Sequence, residues 1–282
     1  RHRGRGYASL GRLLMRCEMP YDSPEGRLIA AEITSRMTTA AWKTSAEIAE
    51  VLGPVASDKA DRPNMVNVLQ MHHDAAKNMG LSQFAQQEWR ECMVVCARSG
   101  FRNAQTTLLA PTGTISLSMD CDTSGIEPDF SLVKFKKLAG GGFIKYANTS
   151  VGTALLRLGY SDNATKAILD YIQANDTYEG APFLDVDDYP VFDCANRCGN
   201  GERYIKLMGH VEMMAAVQPF LDSAISKTCN APNSITVEEI EKVYFDAWKM
   251  GLKSITIYRD GCKASQPLNS KSDTKADSTD EK

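Results

Sequence analysis

Residues 106–116 have the sequence TTLLAPTGTIS, and this stretch decides how we interpret the fold. Its first five residues, 106–110, are β-branched, apolar or small and are bounded by a proline, which is typical of a short buried strand. The following turn is small and hydroxyl-rich, so it presents backbone N–H groups just beyond the carboxyl end of the strand. The residues of this turn are Pro111, Thr112, Gly113, Thr114 and Ile115.

The turn after this strand has two interpretations. Gly113 permits close approach to the backbone, and Thr112, Thr114 and Ser116 supply hydroxyl donors, a combination that suits a phosphate or another oxyanion. The turn contains no lysine, so it is not the phosphate loop of nucleotide triphosphatases. The alternative is the start of a capped helix that binds no ligand. The spacing of the residues leaves both interpretations open.

The region before the strand is predicted to be helical. Ser23-Pro24 is a typical helix start, with a serine N-cap and a proline in the first position. Apolar residues then recur at helical spacing until Gly53-Pro54 ends the pattern. We expect two further helices, over about 65–78 and 82–98.

A βαβ unit is predicted near the end of the chain. The strand signal over 224–228 is followed by a helix, which Thr236 and Glu239 open with a capping box, and then by a strand over 254–258. A strand, a helix and a strand within roughly 35 residues favour parallel pairing. We therefore predict an α/β fold with a helix-rich N-terminal half.

Composition excludes several classes of protein. The chain has 282 residues, of which 43% are hydrophobic, and a net charge of −3. A pI near 5.9 argues against a polybasic groove, and no apolar run approaches the roughly 18 residues of a membrane helix, so we expect no nucleic acid and no membrane as partners. We expect residues 1–264 to form one domain and the polar residues 265–282 to form a disordered tail. Because the first residue is Arg1, we interpret the start as a cut edge of a longer chain.

The eight cysteines are scattered through the chain without a secretion signal, so we expect reduced thiols and a cytoplasmic location. Cys92 and Cys96 fall on one face of a predicted helix and are expected to pack in the core. Cys194 and Cys198 lack the second ligand pair of a zinc knuckle, and we expect no metal site. Cys262 is a candidate exposed thiol.

Four further side chains have two interpretations each. Glu127 is either a buried acid or the anchor of a turn, and His210, at a predicted helix start, serves either capping or catalysis. His72 and His73 lie on a predicted amphipathic helix and are expected to be packed or solvated. From the residues alone, the interpretation ends at an α/β domain with an anion-binding loop.

Several blocks of sequence resemble, in the same order, the catalytic chain of ribonucleotide reductase. They are more similar to the adenosylcobalamin-dependent (class II) members than to the two-subunit iron enzymes. The blocks are GYASLG (6–11), LAPTGTIS (109–116), DCDTSGIEP (120–128), KKLAGGG (136–142), MMAAVQPF (213–220), AISKTCN (224–230) and AWKMGLKSITIYRDG (247–261). The resemblance covers about residues 4–268.

This resemblance implies both a fold and a site. The chain corresponds to the C-terminal portion of the family's ten-stranded α/β barrel, inside which a finger loop carries a cysteine. The loop that matches Pro111–Ile115 holds the diphosphate of the substrate in the family, in agreement with the oxyanion interpretation. Tyr258 matches a position on a late barrel strand, where it is a possible active-site wall or a packing residue.

The resemblance also implies radical chemistry with adenosylcobalamin. Homolysis of the Co–C bond leads to a cysteine thiyl radical that abstracts the 3′-hydrogen of the ribose, and a cysteine pair then supplies the electrons that replace the 2′-hydroxyl. The radical cysteine of the family lies in an Asn-x-Cys-x-Glu segment upstream of the matched part, and none of the eight cysteines here has that context. We therefore assign no catalytic residue to this chain and expect it to be inactive alone.

The implied partners are those of the whole enzyme: a ribonucleotide substrate, the upstream half of the same enzyme, a thioredoxin-type reductant and a second copy in a homodimer. Two other interpretations stay open. One is a non-catalytic nucleotide-binding or assembly module. The other is the C-terminal part of a two-subunit iron-dependent ribonucleotide reductase.

Overall fold

A computed structural model of the chain describes residues 2–137, 143–262 and 268–269. The α-helices in these ranges are α1 (Leu10–Arg16), α2 (Pro24–Leu52), α3 (Asp58–Asn78), α4 (Gln83–Ser99), α5 (Gly113–Ser118), α6 (Ser150–Arg157), α7 (Asp162–Asn175), α8 (Leu207–Val217) and α9 (Val237–Lys249). The strands are β1 (His2–Arg5), β2 (Gln105–Thr107), β3 (Val133–Lys137), β4 (Phe143–Ala147), β5 (Thr228–Ala231), β6 (Thr256–Arg259) and β7 (Leu268–Asn269). Two 3₁₀ segments lie at Val186–Phe192 and Gln218–Phe220.

Four segments of the chain lie side by side and parallel. β1 pairs with β2, β5 pairs with β6, and a bridge between Leu109 and Ile225 joins the two pairs. Because α9 connects β5 to β6, the predicted parallel βαβ unit is confirmed, and Thr236 caps α9 in the predicted capping box. The α/β class is therefore established, while a closed ten-stranded barrel is an expectation from the family resemblance.

The strands are shorter than predicted or displaced along the chain. The segment expected to be one strand over 106–110 forms β2 up to Thr107 and then a single bridge at Leu109. It is interrupted because its hydrogen bonds change from one neighbouring segment to another. Leu108 N still donates to Arg5 O of β1 (2.9 Å), whereas Leu109 O accepts from Ser226 N (2.9 Å) on the other side. The strand expected over 224–228 correspondingly begins at Thr228, and Ile225 contributes only its bridge.

The helical first half is confirmed. Ser23 Oγ accepts a hydrogen bond from Gly26 N (2.9 Å), and Pro24 occupies the first position of α2. α2 packs along α4 around a core that contains Trp42 and Trp89. The sequence around Ser23 was sufficient to predict the start of α2, because the N-cap hydrogen bond joins residues that are only three positions apart.

α3 begins earlier than predicted, at Asp58 instead of near residue 65, although Pro63 lies inside it. The carboxylate of Asp58 pairs with Arg62 and accepts a hydrogen bond from Phe101 N (2.7 Å). These contacts stabilise early turns that a proline disfavours by itself.

The region after residue 130 contains an antiparallel hairpin that the sequence analysis missed. β3 and β4 pair from Val133↔Ala147 to Lys137↔Phe143. Ala147 therefore ends a strand, and the next helix, α6, begins at Ser150. The tail expected over 265–282 falls outside the described residues, apart from Leu268–Asn269.

The buried apolar side chains form three clusters. The first lies beside the parallel segments and includes Leu109, Ile126 and Cys229, the second packs α6 against α7, and the third joins α2, α3 and α4. Among the described residues, no helix combines the length and apolar character that crossing a membrane requires.

Candidate functional site

The loop at residues 111–115 follows β2 and contains the first three residues of α5. Thr112 is the N-cap of this helix and has a positive φ of 52°. Its hydroxyl oxygen is not used for capping but accepts a hydrogen bond from Gly125 N (2.7 Å). Ser116 N donates to Thr112 O (2.9 Å), and the Ser116 hydroxyl donates to Gly113 O (2.7 Å). The predicted helix start is therefore confirmed, but Thr112 makes no side-chain cap, and the Ser116 hydroxyl is engaged with the backbone instead of being offered to an oxyanion.

The outer side of this loop is open. A Cβ atom added to Gly113 would meet no atom within 4 Å, and the φ of Gly113 lies outside the left-handed region. Thr114 is exposed, and 58% of the Ile115 surface is accessible. The first N–H groups of a helix have no partner within the helix, and this holds for those at the start of α5. Neither sterics nor backbone conformation of this chain requires a glycine at 113.

The segment 122–128 supports the loop from behind. Gly125 has a φ of +48°, and a Cβ atom there would lie 2.7 Å from Ala110 O, so only glycine fits against the loop. Gly125 O accepts from Leu10 N at the start of α1 (3.3 Å), and Ile126 O accepts from the hydroxyl of Tyr21 (2.8 Å). These bonds connect the loop to α1 and to the start of α2.

Asp122 joins two helices to the same segment. Its carboxylate lies 3.3 Å from the guanidinium of Arg12 on α1 and accepts hydrogen bonds from the hydroxyls of Thr149 and Ser150 (2.9 Å each) at the start of α6. A carboxylate at a helix N-terminus also interacts favourably with the helix dipole. The loop is thus held by several elements of the fold.

A buried charged cluster lies where the segment 122–128 meets β5. Glu127 Oε1 accepts from Thr228 N (2.9 Å), and Glu127 Oε2 lies 3.0 Å from the ammonium of Lys227, whose side chain is 0% exposed. The same ammonium contacts His210 Nδ1 (2.7 Å) and donates to Thr228 O (2.7 Å). An ammonium has three protons, so these three acceptors saturate it.

The contacts of Lys227 fix the protonation of His210. Burial and the charge of Lys227 hold the pKa of His210 well below its usual value, so the ring is neutral. Because Nδ1 accepts from Lys227, the ring proton lies on Nε2. The carboxylate of Glu127 is half-buried and bonds to the backbone of β5, so it joins the segment 122–128 to that strand. His210 does not cap α8, since it lies inside that helix and is fully buried.

Glu127 and His210 are recognisable as candidates in the sequence, whereas Lys227 is not. The available signal was a lysine flanked by small and apolar residues at a predicted strand (AISKTCN). Such a lysine is buried only with partners, and nothing in the local pattern indicates which residues these are.

Tyr258 lies on β6, opposite Asn230 of β5, and is half-buried. β5 therefore separates it from the bridge at Leu109 and from the loop that follows. Tyr258 therefore belongs to the same parallel array as the segment that precedes the loop, but it lies two segments away from that segment.

The expectation that Cys92 and Cys96 pack in the core is confirmed. Cys92 and Cys96 are fully buried on α4, with their sulfur atoms 3.8 Å apart, and Cys262 is exposed as expected. Cys194 and Cys198 are buried as well. In the part of the chain that the structure describes, no group of three or more histidine, cysteine, aspartate or glutamate side chains could hold a metal ion. His72 is buried and packs against Trp89.

Comparison with known proteins gives a consistent result. Residues 1–258 match the family model described as the ribonucleotide reductase barrel domain. A vitamin B12-dependent ribonucleotide reductase of Rhodopirellula baltica is 48% identical over 276 residues, which cover 96% of this chain and 26% of that protein. The enzyme of the same name from Streptomyces coelicolor is 46% identical over 285 residues, 98% of this chain and 29% of that protein. A vitamin B12-dependent ribonucleoside-diphosphate reductase of Mycobacterium tuberculosis is 31% identical over 270 residues, 95% of this chain and 32% of that protein.

The chain thus spans about a quarter to a third of the length of these three relatives. The family model, by contrast, matches more than nine-tenths of the chain, including the loop, the segment behind it and most of the βαβ unit. The chain therefore belongs to the ribonucleotide reductase barrel-domain family.

Proposed function

We propose that this chain is part of an adenosylcobalamin-dependent ribonucleotide reductase, which converts ribonucleotides to deoxyribonucleotides for DNA synthesis. In that enzyme it supplies the substrate-phosphate loop, Pro111–Ile115, and part of the barrel wall. The names of the relatives support the reaction and the cofactor. They do not favour a two-subunit iron enzyme or a non-catalytic module.

The observation that carries the proposal is the open loop at the start of α5. Gly113, Thr114 and Ile115 are exposed, and Gly113 leaves space where any side chain would project. A phosphate accepts several hydrogen bonds at once, and the dipole of a helix start favours its negative charge. The rigid support behind the loop, through Gly125 and Asp122, holds these donors in place before a ligand arrives.

Adenosylcobalamin belongs in this proposal to the complete enzyme. The corrin ring itself ligates the cobalt, so no set of metal-ligating side chains among the described residues marks a cobalamin site. We therefore assign no cobalamin contact to this chain. When bound in the complete enzyme, the cofactor supplies the radical, and this chain binds and orients the substrate phosphates.

The remaining roles belong to the complete enzyme too. We propose that it acts in the cytoplasm as a homodimer, takes electrons from a thioredoxin-type reductant and contains its radical cysteine in the upstream half. Residues 1–264 form one part of its barrel domain. Tyr258 is proposed as a wall residue of the active site, because it lies on the same parallel array as the loop.

The phosphate loop is tested in the complete enzyme with Gly113→Val and Thr114→Ala. Valine fills the space proposed for the phosphate, and alanine removes one hydroxyl donor, so we expect KM for the ribonucleotide to rise about tenfold or more. Stability is expected to change little, because both positions are exposed and the added Cβ at 113 meets no atom.

Ser118→Ala, at the exposed far end of α5, is the matched control and is expected to keep the KM of the unmodified enzyme. Steady-state kinetics and thermal unfolding are measured for all three variants. Unchanged KM and kcat in both loop variants would argue against a substrate-phosphate loop at this position.

A further inference from the structure

The chain alternates arginine and glycine along β1 and the residue after it. The pairing of β1 with β2 is irregular between His2 and Arg5, yet the exposed side chains of Arg3 and Arg5 both line one cleft. A Cβ atom at Gly4 would lie 2.7 Å from Leu108 Cδ2, and one at Gly6 would lie 2.5 Å from Leu108 O. The glycines thus let β1 pack closely on this neighbouring segment.

The arginines face a cleft between β1 and α2 with a volume of about 320 Å³. One wall is the face of α2 formed by residues at helical spacing, among them Thr44, Ile48 and Leu52. Arg102, which precedes β2, closes another side. A volume of this size is at the lower end of the range of small-molecule sites, roughly 300–1,000 Å³.

The cleft collects positive charge without a compensating acid. Its lining includes three arginines and no aspartate or glutamate. Arg102 donates to Gly53 O (3.1 Å) at the end of α2 and so already has a structural role. Within residues 2–137, 143–262 and 268–269, the side chains of Arg3 and Arg5 form neither a hydrogen bond nor an ion pair with a defined partner. Like charges that converge on one cleft repel each other, and a bound anion would relieve that repulsion.

We propose that this cleft binds a phosphorylated small molecule, with its phosphate on Arg3 and Arg5 and its apolar part against Ile48 and Leu52. The planar guanidinium groups match phosphate oxygens in a bidentate manner, and the α2 wall offers exposed apolar surface. The cleft lies beside the amino end of β2, whereas the loop at 111–115 follows its carboxyl end. The proposal is therefore independent of the substrate-phosphate loop.

The test measures binding of inorganic phosphate and phenyl phosphate to the 282-residue chain by calorimetry. We expect phenyl phosphate to bind more tightly than phosphate, because its ring covers Ile48 and Leu52. Replacing both Arg3 and Arg5 by alanine should weaken binding of either anion about tenfold or more, since charge-assisted hydrogen bonds are lost. Thr44→Trp, which fills the cleft without changing charge, should also prevent binding, and thermal unfolding confirms that each variant is folded.

The matched control replaces Arg16 and Arg90, two exposed arginines outside the cleft, by alanine and so makes the same change in net charge. Binding that survives in this control and in Thr114→Ala, but not in the Arg3/Arg5 variant, supports the cleft. The proposal is overturned if the intact chain binds neither anion, if both anions bind equally well, or if the Arg3/Arg5 variant keeps its affinity. An equal loss in the Arg16/Arg90 variant, or a loss only in Thr114→Ala, also overturns it.

Discussion

Lys227 is a charged residue inside the protein, and its three acceptors come from three different parts of the chain. Glu127 lies about 100 residues earlier, His210 lies on α8, and Thr228 O belongs to β5. Desolvating an ammonium costs several kcal/mol, which only a complete set of partners offsets. The cluster therefore ties the segment behind the phosphate loop to the parallel strands, and a missing partner would leave a buried charge.

We predict that Lys227→Met destabilises the protein by about 3 kcal/mol, because removal of the ammonium leaves the carboxylate of Glu127 without its charge partner. Urea unfolding of the two proteins at neutral pH measures the difference. The control is Lys242→Met, which removes a lysine from an exposed ion pair with Asp246 on α9 and should change the free energy of unfolding little. Equal effects of the two substitutions would contradict a special role for the buried cluster.

At the scale of the elements, Asp222 joins α2 to β2. Its Oδ2 accepts from Thr106 N (2.7 Å), the Thr106 hydroxyl (2.8 Å) and Thr107 N (3.0 Å), and its Oδ1 accepts from Trp42 Nε1 (2.9 Å). Burial by itself raises the pKa of Asp222, but contact with His72 and the bonds from Thr106 and Thr107 outweigh it and hold the pKa below its usual value. Since Trp42 is on α2, one carboxylate positions the strand that leads into the loop.

We predict that Asp222→Asn destabilises the protein by about 2 kcal/mol at neutral pH, because an amide cannot accept all four of these bonds. A lowered folded-state pKa gives stability that is complete above the ordinary value of 3.8 and is lost as the pH falls through the lowered value. The difference from the unmodified protein should therefore shrink below pH 3.8.

Urea unfolding between pH 7 and pH 3 tests this prediction. Asp170→Asn on the exposed side of α7 serves as the control and should show no such dependence. A constant destabilisation by Asp222→Asn across this pH range would show that the loss does not depend on the charge of the carboxylate and would contradict this role of Asp222.

On the scale of the whole molecule, the chain contains the open loop that we propose to bind the substrate phosphates, and we assign no radical-forming residue to it. Three apolar clusters support it, and the parallel array β1–β2–β5–β6 aligns the loop and Tyr258 along one set of strands. None of the eight cysteines lies in an Asn-x-Cys-x-Glu segment. In the proposed enzyme, phosphate binding and radical generation would therefore depend on different parts of the chain.

We predict that the purified 282-residue chain does not reduce ribonucleoside diphosphates in the presence of adenosylcobalamin and a dithiol, because it lacks the cysteine context for a thiyl radical. The measurement is deoxyribonucleotide formation, with a complete relative, such as the Streptomyces coelicolor enzyme, as positive control. Turnover by the chain alone would contradict this prediction and require another radical site.

The sequence by itself determined the features that depend on neighbouring residues and on family-specific blocks. The Ser23 cap, the Thr236 capping box and the parallel βαβ unit were predicted correctly because each depends on residues a few positions apart or on a fixed order of elements. The family followed from long blocks in order. The loop at 111–115 was recognised from one of these blocks, and its binding of a substrate phosphate remains a prediction.

Only the tertiary structure decided which distant residues meet. The early start of α3 depends on a bond from Phe101 to Asp58, and the burial of Lys227 depends on Glu127 and His210. No local periodicity encodes such contacts, because their free energy arises when segments about 20 to 100 residues apart exclude water together. The cleft between β1 and α2 likewise exists only after these two elements pack, although its arginines were visible in the sequence.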